Sequence, residues 1–263
     1  MNRRTVVAGG LAAPALAAMP AAAQGGGKTF VLLHGAWHGG WCWRDVAEVL
    51  RAGGHSVFTP TQTGLGERKH LMSRDITLDT FVTDVVNVLE AEELEDVILV
   101  GHSFGGLGIT GAADRVPERI RHLVYLDSLI LEGGQSPFGI LPAEVVAQRR
   151  QQVQEQGQGI FIPPPSPSAF GIPDGHPGAA WVRRRLTPHP VGTYESPLDL
   201  RNPVGNGKPA TYIIAAEPLY GPLEVTRRWV RNRPGWTVRE IRTGHDTMVT
   251  APEETARMLT AIG

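Results

Sequence analysis

The apolar residues 97–100, Val-Ile-Leu-Val, run directly into Gly101-His102-Ser103-Phe104-Gly105-Gly106, and this junction limits the fold more tightly than any other stretch. An unbroken apolar run of this length suits a central parallel strand buried on both faces. A serine set on the sharp turn between a strand and a helix takes up strained backbone angles and leaves no room for side chains two residues away on either side. Glycines at 101 and 105 meet that requirement, which a serine acting only as a helix cap would not impose. The pattern predicts a nucleophilic Ser103 raised at the carboxyl end of a strand. The amide of Phe104 then lies at the positive end of the following helix, suited to stabilising an oxyanion.

The rest of the chain keeps the same rhythm of strand and helix. Residues 28–33 read as a first strand, 41–51 as a helix stopped by Gly53-Gly54, and 55–59 as a strand ended by Pro60. The next helix carries Phe81, Val85, Val88 and Leu89 on one face, with Thr77 placed to cap its first turn and Asp79 near its positive end. A helix over 104–115 leads into a strand at 120–126 that ends in Asp127. Further strands are expected at 211–215 and 237–241, with helices over 222–232 and 251–261; Thr250 and Glu253 have capping-box spacing at the start of the last one. The whole predicts an α/β fold, a mostly parallel sheet of about six strands flanked by helices. Between about 130 and 208 the rhythm breaks into proline-rich sequence, including Pro163-Pro164-Pro165, with one polar helical piece at 143–156. That stretch reads as a cap inserted into a single domain spanning 24–263.

Residues 1–23 fall outside the fold reasoning. Arg3 and Arg4 precede the apolar stretch 6–19, and Ala21-Ala22-Ala23 offers a processing site, the layout of an export signal. The run is shorter than the roughly 20 residues a membrane span needs, and Pro14 and Pro20 interrupt it. The paired arginines match a twin-arginine signal only in part, so the export route stays open. The expected location is periplasmic or secreted. Removing the signal deletes two arginines and no acid, moving the formal charge from −1 to −3, which provides no field for nucleic acid. The sole cysteine, Cys42, sits between Trp41 and Trp43 and reads as a buried, inert thiol. No paired Cys/His spacing suggests a zinc site.

A serine at its ordinary pKa needs a general base, and the chain order Ser, acid, His points downstream. His245, in Thr243-Gly244-His245-Asp246 directly after the last expected strand, is that base. His176 and His189 belong to the cap and His122 begins a strand. His34 is placed to orient the loop after the first strand, while His102 faces away from the nucleophile. The acid has two candidates at strand ends: Asp127, the first choice, and Glu217 after Ile213-Ile214-Ala215-Ala216. The segment His34-Gly35-Ala36-Trp37-His38-Gly39-Gly40 can supply the second oxyanion amide, assigned to Ala36. Trp37, Ile160, Phe161 and Trp181, with Phe170, are the apolar candidates for holding a substrate.

Together the His34–Gly40 segment with Trp41-Cys42-Trp43, the Gly101–Gly106 turn and Gly244-His245 resemble the α/β-hydrolase branch that contains plant salicylate methyl esterases and hydroxynitrile lyases. The likeness runs over 28–262 apart from the cap. It implies an esterase with Ser103 and His245 in the catalytic roles, Ala36 and Phe104 as oxyanion donors, and no metal or organic cofactor. Plant members carry their acid as an Asp after the strand matching 211–216, where this chain reads Ala216-Glu217-Pro218-Leu219-Tyr220. Similar lyases carry a Thr after the first loop His and a Lys after the catalytic His; here these are Gly35 and Asp246. The expectation is therefore a serine carboxylic-ester hydrolase acting on a small to medium hydrophobic ester. A hydroxynitrile lyase is the alternative, and a low-turnover ligand receptor the third reading. The partner is a small molecule, with no nucleic acid and no stable membrane span, and a homodimer is left open.

Overall fold

The computed structural model describes residues 26–263, so the export signal expected at 1–23 lies outside them. Strand β1 (Thr29–Leu33) leads through a tight helical turn at Gly40–Trp43 into α1 (Arg44–Ala52) and β2 (Ser56–Phe58). Then follow α2 (Leu78–Ala91), β3 (Val97–His102), α3 (Gly105–Arg115) and β4 (Ile120–Leu126). The stretch after β4 holds α4 (Pro137–Ile140), α5 (Ala143–Glu155), β5 (Phe161–Ile162), α6 (Pro177–Arg183), β6 (His189–Pro190) and α7 (Gly192–Glu195). Alternation resumes with β7 (Ala210–Ala215), α8 (Glu224–Arg231), β8 (Trp236–Ile241), α9 (Thr247–Thr250) and α10 (Pro252–Thr260).

Six of these strands form one sheet in the order β2-β1-β3-β4-β7-β8, and every neighbouring pair is parallel. Parallel strands need crossovers, and the helices that make them cover both faces of the sheet. The period-2 alternation of side chains sorts the core accordingly. Phe30, Leu32, Ile98, Val100, Val124 and Leu126 meet Trp43, Val46 and Leu50 of the first helical region and Leu259 of α10. Val31, Leu33, Val97, Leu99, Leu123 and Tyr125 meet Val85 and Leu89 of α2, Ile109 of α3 and Val230 of α8. Each fully buried aliphatic side chain contributes about 1.5–3 kcal/mol against the cost of ordering the chain. β3 lies fourth from one edge and third from the other, buried along its whole length. Its carboxyl end is where Ser103 emerges.

Local signals explain most boundaries. Thr77 caps α2, with the Thr80 hydroxyl accepting the Thr77 amide at 3.2 Å. Its buried face is Leu78, Phe81, Val82, Val85 and Leu89, so Val82 takes a core place and Val88 is only half-buried. The capping box expected at Thr250 does not form. Thr250 ends α9 instead, its hydroxyl bonded to the Asp246 carbonyl at 3.1 Å and to the Thr243 hydroxyl at 2.6 Å. Pro252 opens α10, a position where the missing N–H costs nothing. The stretch between β4 and β7 adds no strand to the main sheet; β5 and β6 pair with each other as a short antiparallel ribbon.

Trp43 is the largest wholly buried side chain among the described residues and joins α1 to the sheet. Trp43→Ala is expected to lower unfolding free energy by about 3–5 kcal/mol, read as a shift in urea midpoint at unchanged slope.

Candidate active site

Ser103 has φ +53°, the left-handed region that only a strongly held non-glycine residue keeps. Its amide donates to the Leu126 carbonyl at 3.2 Å, and its carbonyl accepts from Gly106 at 3.2 Å and Leu129 at 2.9 Å. The turn is thus bolted between the ends of β3 and β4. A Cβ on Gly101 would lie 2.7 Å from the Gly105 carbonyl oxygen, and one on Gly105 would lie 2.6 Å from that of His34. Both glycines are steric necessities of the bend.

From this turn the Ser103 hydroxyl donates to His245 Nε2 at 2.8 Å, and His245 Nδ1–H donates to Asp127 Oδ2 at 2.7 Å. His245 lies on the loop between β8 and α9, and Asp127 directly follows β4 with φ +39°. Both are buried, while Ser103 is half-buried and opens to a pocket. Arg227 of α8, also buried, sets Nη1 3.7 Å from the second Asp127 oxygen and donates from Nη2 to the Tyr220 carbonyl at 3.0 Å. The Tyr220 ring lies flat on His245, centroids 4.1 Å apart. Glu217, the alternative acid, does not reach the imidazole. Its side chain is exposed while its backbone amide is fixed on the Thr243 carbonyl at 3.0 Å, so the loop after β7 presents Tyr220 to His245 and turns Glu217 outward.

Hydrogen bonds fix the protonation of the surrounding histidines. His38 faces the Ala36 carbonyl through Nδ1 at 2.8 Å and Asp246 Oδ2 through Nε2 at 3.0 Å, so both nitrogens must donate and the ring is an imidazolium. Burial works against that charge, but the Asp246 carboxylate and these hydrogen bonds outweigh it and raise the pKa of His38. For Asp246, burial acts upward, and the His38 charge and hydrogen bond reverse it to a net lowering. His34 accepts the Gln62 amide at Nε2 and donates from Nδ1 to the Gly35 carbonyl, and burial lowers its pKa to about 3. His102 donates from Nε2 to the His245 carbonyl at 2.9 Å and is held neutral, chiefly by burial. It supports the backbone of His245 from behind. His102, His245 and Asp246 cluster closely enough to hold a cation. His102 Nε2, both His245 nitrogens and Asp246 Oδ2 are already committed to hydrogen bonds, and the His38 imidazolium already balances the Asp246 charge.

The pocket at Ser103, about 30 Å³, is lined by the backbone turn at Ala36 and Phe104 and by Trp37, Leu129, Arg149 and Tyr194, with Tyr220 at its rim. The Ala36 and Phe104 amides have no acceptor among the described residues. Trp37 reaches the pocket with φ +64° and donates its indole N–H to the Ile162 carbonyl at 3.1 Å. Ile160 and Phe161, expected as substrate contacts, do not line it. Phe161 lies in the β5 ribbon and Ile160 directly before it, its carbonyl accepting the Val191 amide; the ribbon meets Trp37 through the Ile162 carbonyl. Trp181 is further removed: it meets Trp41 edge-on at 5.0 Å between the Arg44 and Arg185 guanidiniums. Phe170 packs behind the site on His38 and Trp37. Cys42 is buried, which pushes its thiol pKa well up.

Arg149, Tyr194, Tyr220 and Arg227 escaped the sequence reading. Arg149 shares the stripe of Val145 and Val153, spaced by four, so helical periodicity alone would have turned it inward. The other three carry no local signal.

A sequence profile of the alpha/beta hydrolase family matches residues 30–258. The chain is 43% identical over 242 residues to the carbendazim hydrolyzing esterase of Nocardioides sp. (strain SG-4G), spanning 89% of this chain and 99% of that one. It is 34% identical over 113 residues to the alpha-hydroxynitrile lyase of Arabidopsis thaliana, 43% of this chain and 44% of the lyase. Among solved structures it superposes with a TM-score of 0.79 and 27% identity on an extracellular alpha/beta-hydrolase from a Paenibacillus species, described as sharing structural and functional homology with tobacco salicylic acid binding protein 2. That match covers 90% of this chain and 99% of the other.

The His38–Asp246 pair makes a testable contribution to stability. Asp246 is lowered from its ordinary 3.8, so its share is present above that value and lost as pH falls through the lower folded pKa. His38 is raised from 6.5, so its share is complete below that value and lost as pH rises through the higher folded pKa. Asp246→Asn is expected to lower unfolding free energy by on the order of 3 kcal/mol between these two limits, with the gap to wild type narrowing on either side. Denaturant titrations across pH check this, and a pH-independent gap would contradict it.

Proposed function

The chain belongs to the alpha/beta hydrolase family, and from that membership and the Ser103–His245–Asp127 relay we propose a serine carboxylic-ester hydrolase working through an acyl-enzyme. The observation that carries the reading is the unbroken pair of hydrogen bonds, 2.8 and 2.7 Å, ending at a hydroxyl that faces a pocket. Ser103 Oγ attacks the ester carbonyl while His245 Nε2 takes its proton. Asp127 holds the imidazole in the tautomer that can accept that proton and stabilises the imidazolium formed. The Ala36 and Phe104 amides receive the tetrahedral oxyanion. His245 then gives the proton to the departing alcohol, and a water activated by the same nitrogen releases the acid from Ser103. The small inner pocket and its apolar walls of Leu129, Leu141 and Leu223 suit a compact group on one side of the ester.

The lyase alternative finds less support. A Cβ at Gly35 would stand 2.8 Å from the Ser103 Cβ, leaving no space for the Thr of similar lyases without displacing the nucleophile. Where those lyases carry a Lys, this chain buries the carboxylate of Asp246 against an imidazolium, opposite in sign to what a departing cyanide needs. We also place the protein outside the cytoplasm. The layout of residues 1–23 supports this, as does the extracellular solved relative. No helix among the described residues is long and apolar enough to cross a membrane. The small pocket at Ser103, continued by a groove of about 210 Å³, supports a small-molecule partner.

Ser103→Ala is expected to lower kcat on aryl and alkyl esters by on the order of 10⁴–10⁶ and to abolish labelling by a fluorophosphonate. Full activity in that variant would remove the nucleophile. Asp127→Asn should lose on the order of 10⁴ in kcat, whereas Glu217→Gln should stay within about threefold, as for an exposed side chain; the reverse order would transfer the acid to the β7 loop. Cyanide release from a cyanohydrin, or tight ligand binding without turnover, would favour the lyase or the receptor.

A further inference from the structure

Among the described residues, Arg149 is the one charged side chain lining the Ser103 pocket, and it has no carboxylate within ion-pair distance. Its guanidinium carbon lies 4.7 Å from the Tyr194 ring centre and 5.2 Å from that of Trp37. Nη1 is shielded from solvent and has no hydrogen-bond acceptor among the described residues. Three other arginines with an acid beside them pair with it: Arg68 meets Asp84, Arg74 meets Glu195 and Arg227 meets Asp127. No Asp or Glu lines the inner pocket or the outer groove of about 210 Å³ that continues from it past Trp37, Arg149 and Tyr220 to Gln148 and Gln152. The neighbouring phenols cannot provide the charge either. Burial raises Tyr194, and raises Tyr220 to about 12, so both are neutral near pH 7, although Arg149 offsets part of each shift.

Two aromatic faces attract the cation and hold its plane in place, each such contact being worth on the order of 1 kcal/mol. They leave Nη1, a donor suited to strong directional bonds, without an acceptor among the described residues, while the neutral Tyr194 hydroxyl stands beside the guanidinium without supplying a charge. A shielded donor with no acceptor is costly, and such groups are expected to be completed by something that binds. The side chain stands where the inner pocket meets the outer groove, so a group at its edge belongs to the same molecule whose carbonyl faces Ser103.

We propose that Arg149 determines specificity by receiving a carboxylate on the substrate, so that the preferred substrates are esters bearing a free carboxylate on the acyl or the alcohol side. This rests on the esterase reading above and adds the substrate class to it. A purely structural Arg149, packing α5 onto Trp37 and Tyr194, would affect charged and neutral esters alike.

The test is a comparison of kcat/KM within matched pairs. Mono-4-nitrophenyl succinate against 4-nitrophenyl pentanoate probes the acyl side, and 4-acetoxybenzoate against 4-acetoxybenzamide probes the alcohol side. In the wild type, the carboxylate is expected to be favoured by about tenfold or more in at least one pair, less so in 0.5 M salt. Arg149→Met and Arg149→Gln should bring that ratio to unity or below, mainly through KM, and Arg149→Lys should restore part of it. Equal ratios in wild type and both neutral variants, with melting temperatures retained, would overturn the proposal. A wild type that cleaves none of the four esters would instead overturn the esterase reading, and the proposal would fall with it.

Discussion

The site depends first on a backbone constraint, the left-handed turn at Ser103. Trp37 and Asp127 share that conformation, so three residues around one pocket stand at φ values of +64°, +53° and +39°. Each such residue costs about 1–3 kcal/mol and persists only where its surroundings over-determine it. Here the surroundings are the carboxyl ends of the central parallel strands. Leu126 and Ile213 supply carbonyls that fix the amides of Ser103 and Asp127. The sheet therefore fixes Ser103 and Asp127 by backbone bonds, and each is aimed before any side chain is considered.

Charge is layered behind that frame. Two buried carboxylates stand near His245, and each has its own cation. Asp127 is shared by His245 and the guanidinium of Arg227; Asp246 is neutralised by His38. Pairing matters because an uncompensated charge in a low-dielectric interior would either unfold the region or take up a proton. Asp246 is balanced by His38 behind the site, while His245 bonds Asp127 directly. His102 stays neutral between the two systems and spends its one N–H on the carbonyl of His245. The two positions beside Ser103 and His245 have other tasks: His102 supports the His245 backbone and Asp246 balances His38.

The sequence was informative where function imposes local rules. The glycines around Ser103 announced the turn, Thr77 announced a helix start, and the position of Asp127 at a strand end made it a candidate for the acid. The strand at 120–126 was legible to the residue because its buried run ends in a charge. What could not be read was anything set by packing across long separations. Arg227 lies a hundred residues along the chain from the acid it faces, and its helix reads as an ordinary amphipathic one. Ile160, Phe161 and Trp181 have the right chemistry for a pocket, yet apolar composition carries no direction. Trp181 packs on Trp41 instead, and the ribbon that carries Phe161 meets Trp37 through the Ile162 carbonyl.

The departure from the plant pattern after β7 follows from the same geometry. A carboxylate on that loop would have to come close to His245, and the approach is already filled by the flat ring of Tyr220, 4.1 Å away. That ring is held there because the Tyr220 carbonyl accepts from Arg227, and Arg227 is itself drawn inward by Asp127. Acid, guanidinium and aromatic lid are thus one coupled set. With Asp127 at the end of the neighbouring strand β4, the loop after β7 supplies a pocket wall, and Tyr220 together with Arg149 lines the place where the inner pocket joins the outer groove. A carboxylate after β7 and the ring of Tyr220 would compete for the same few ångströms beside the imidazole, and this chain fills them with Tyr220.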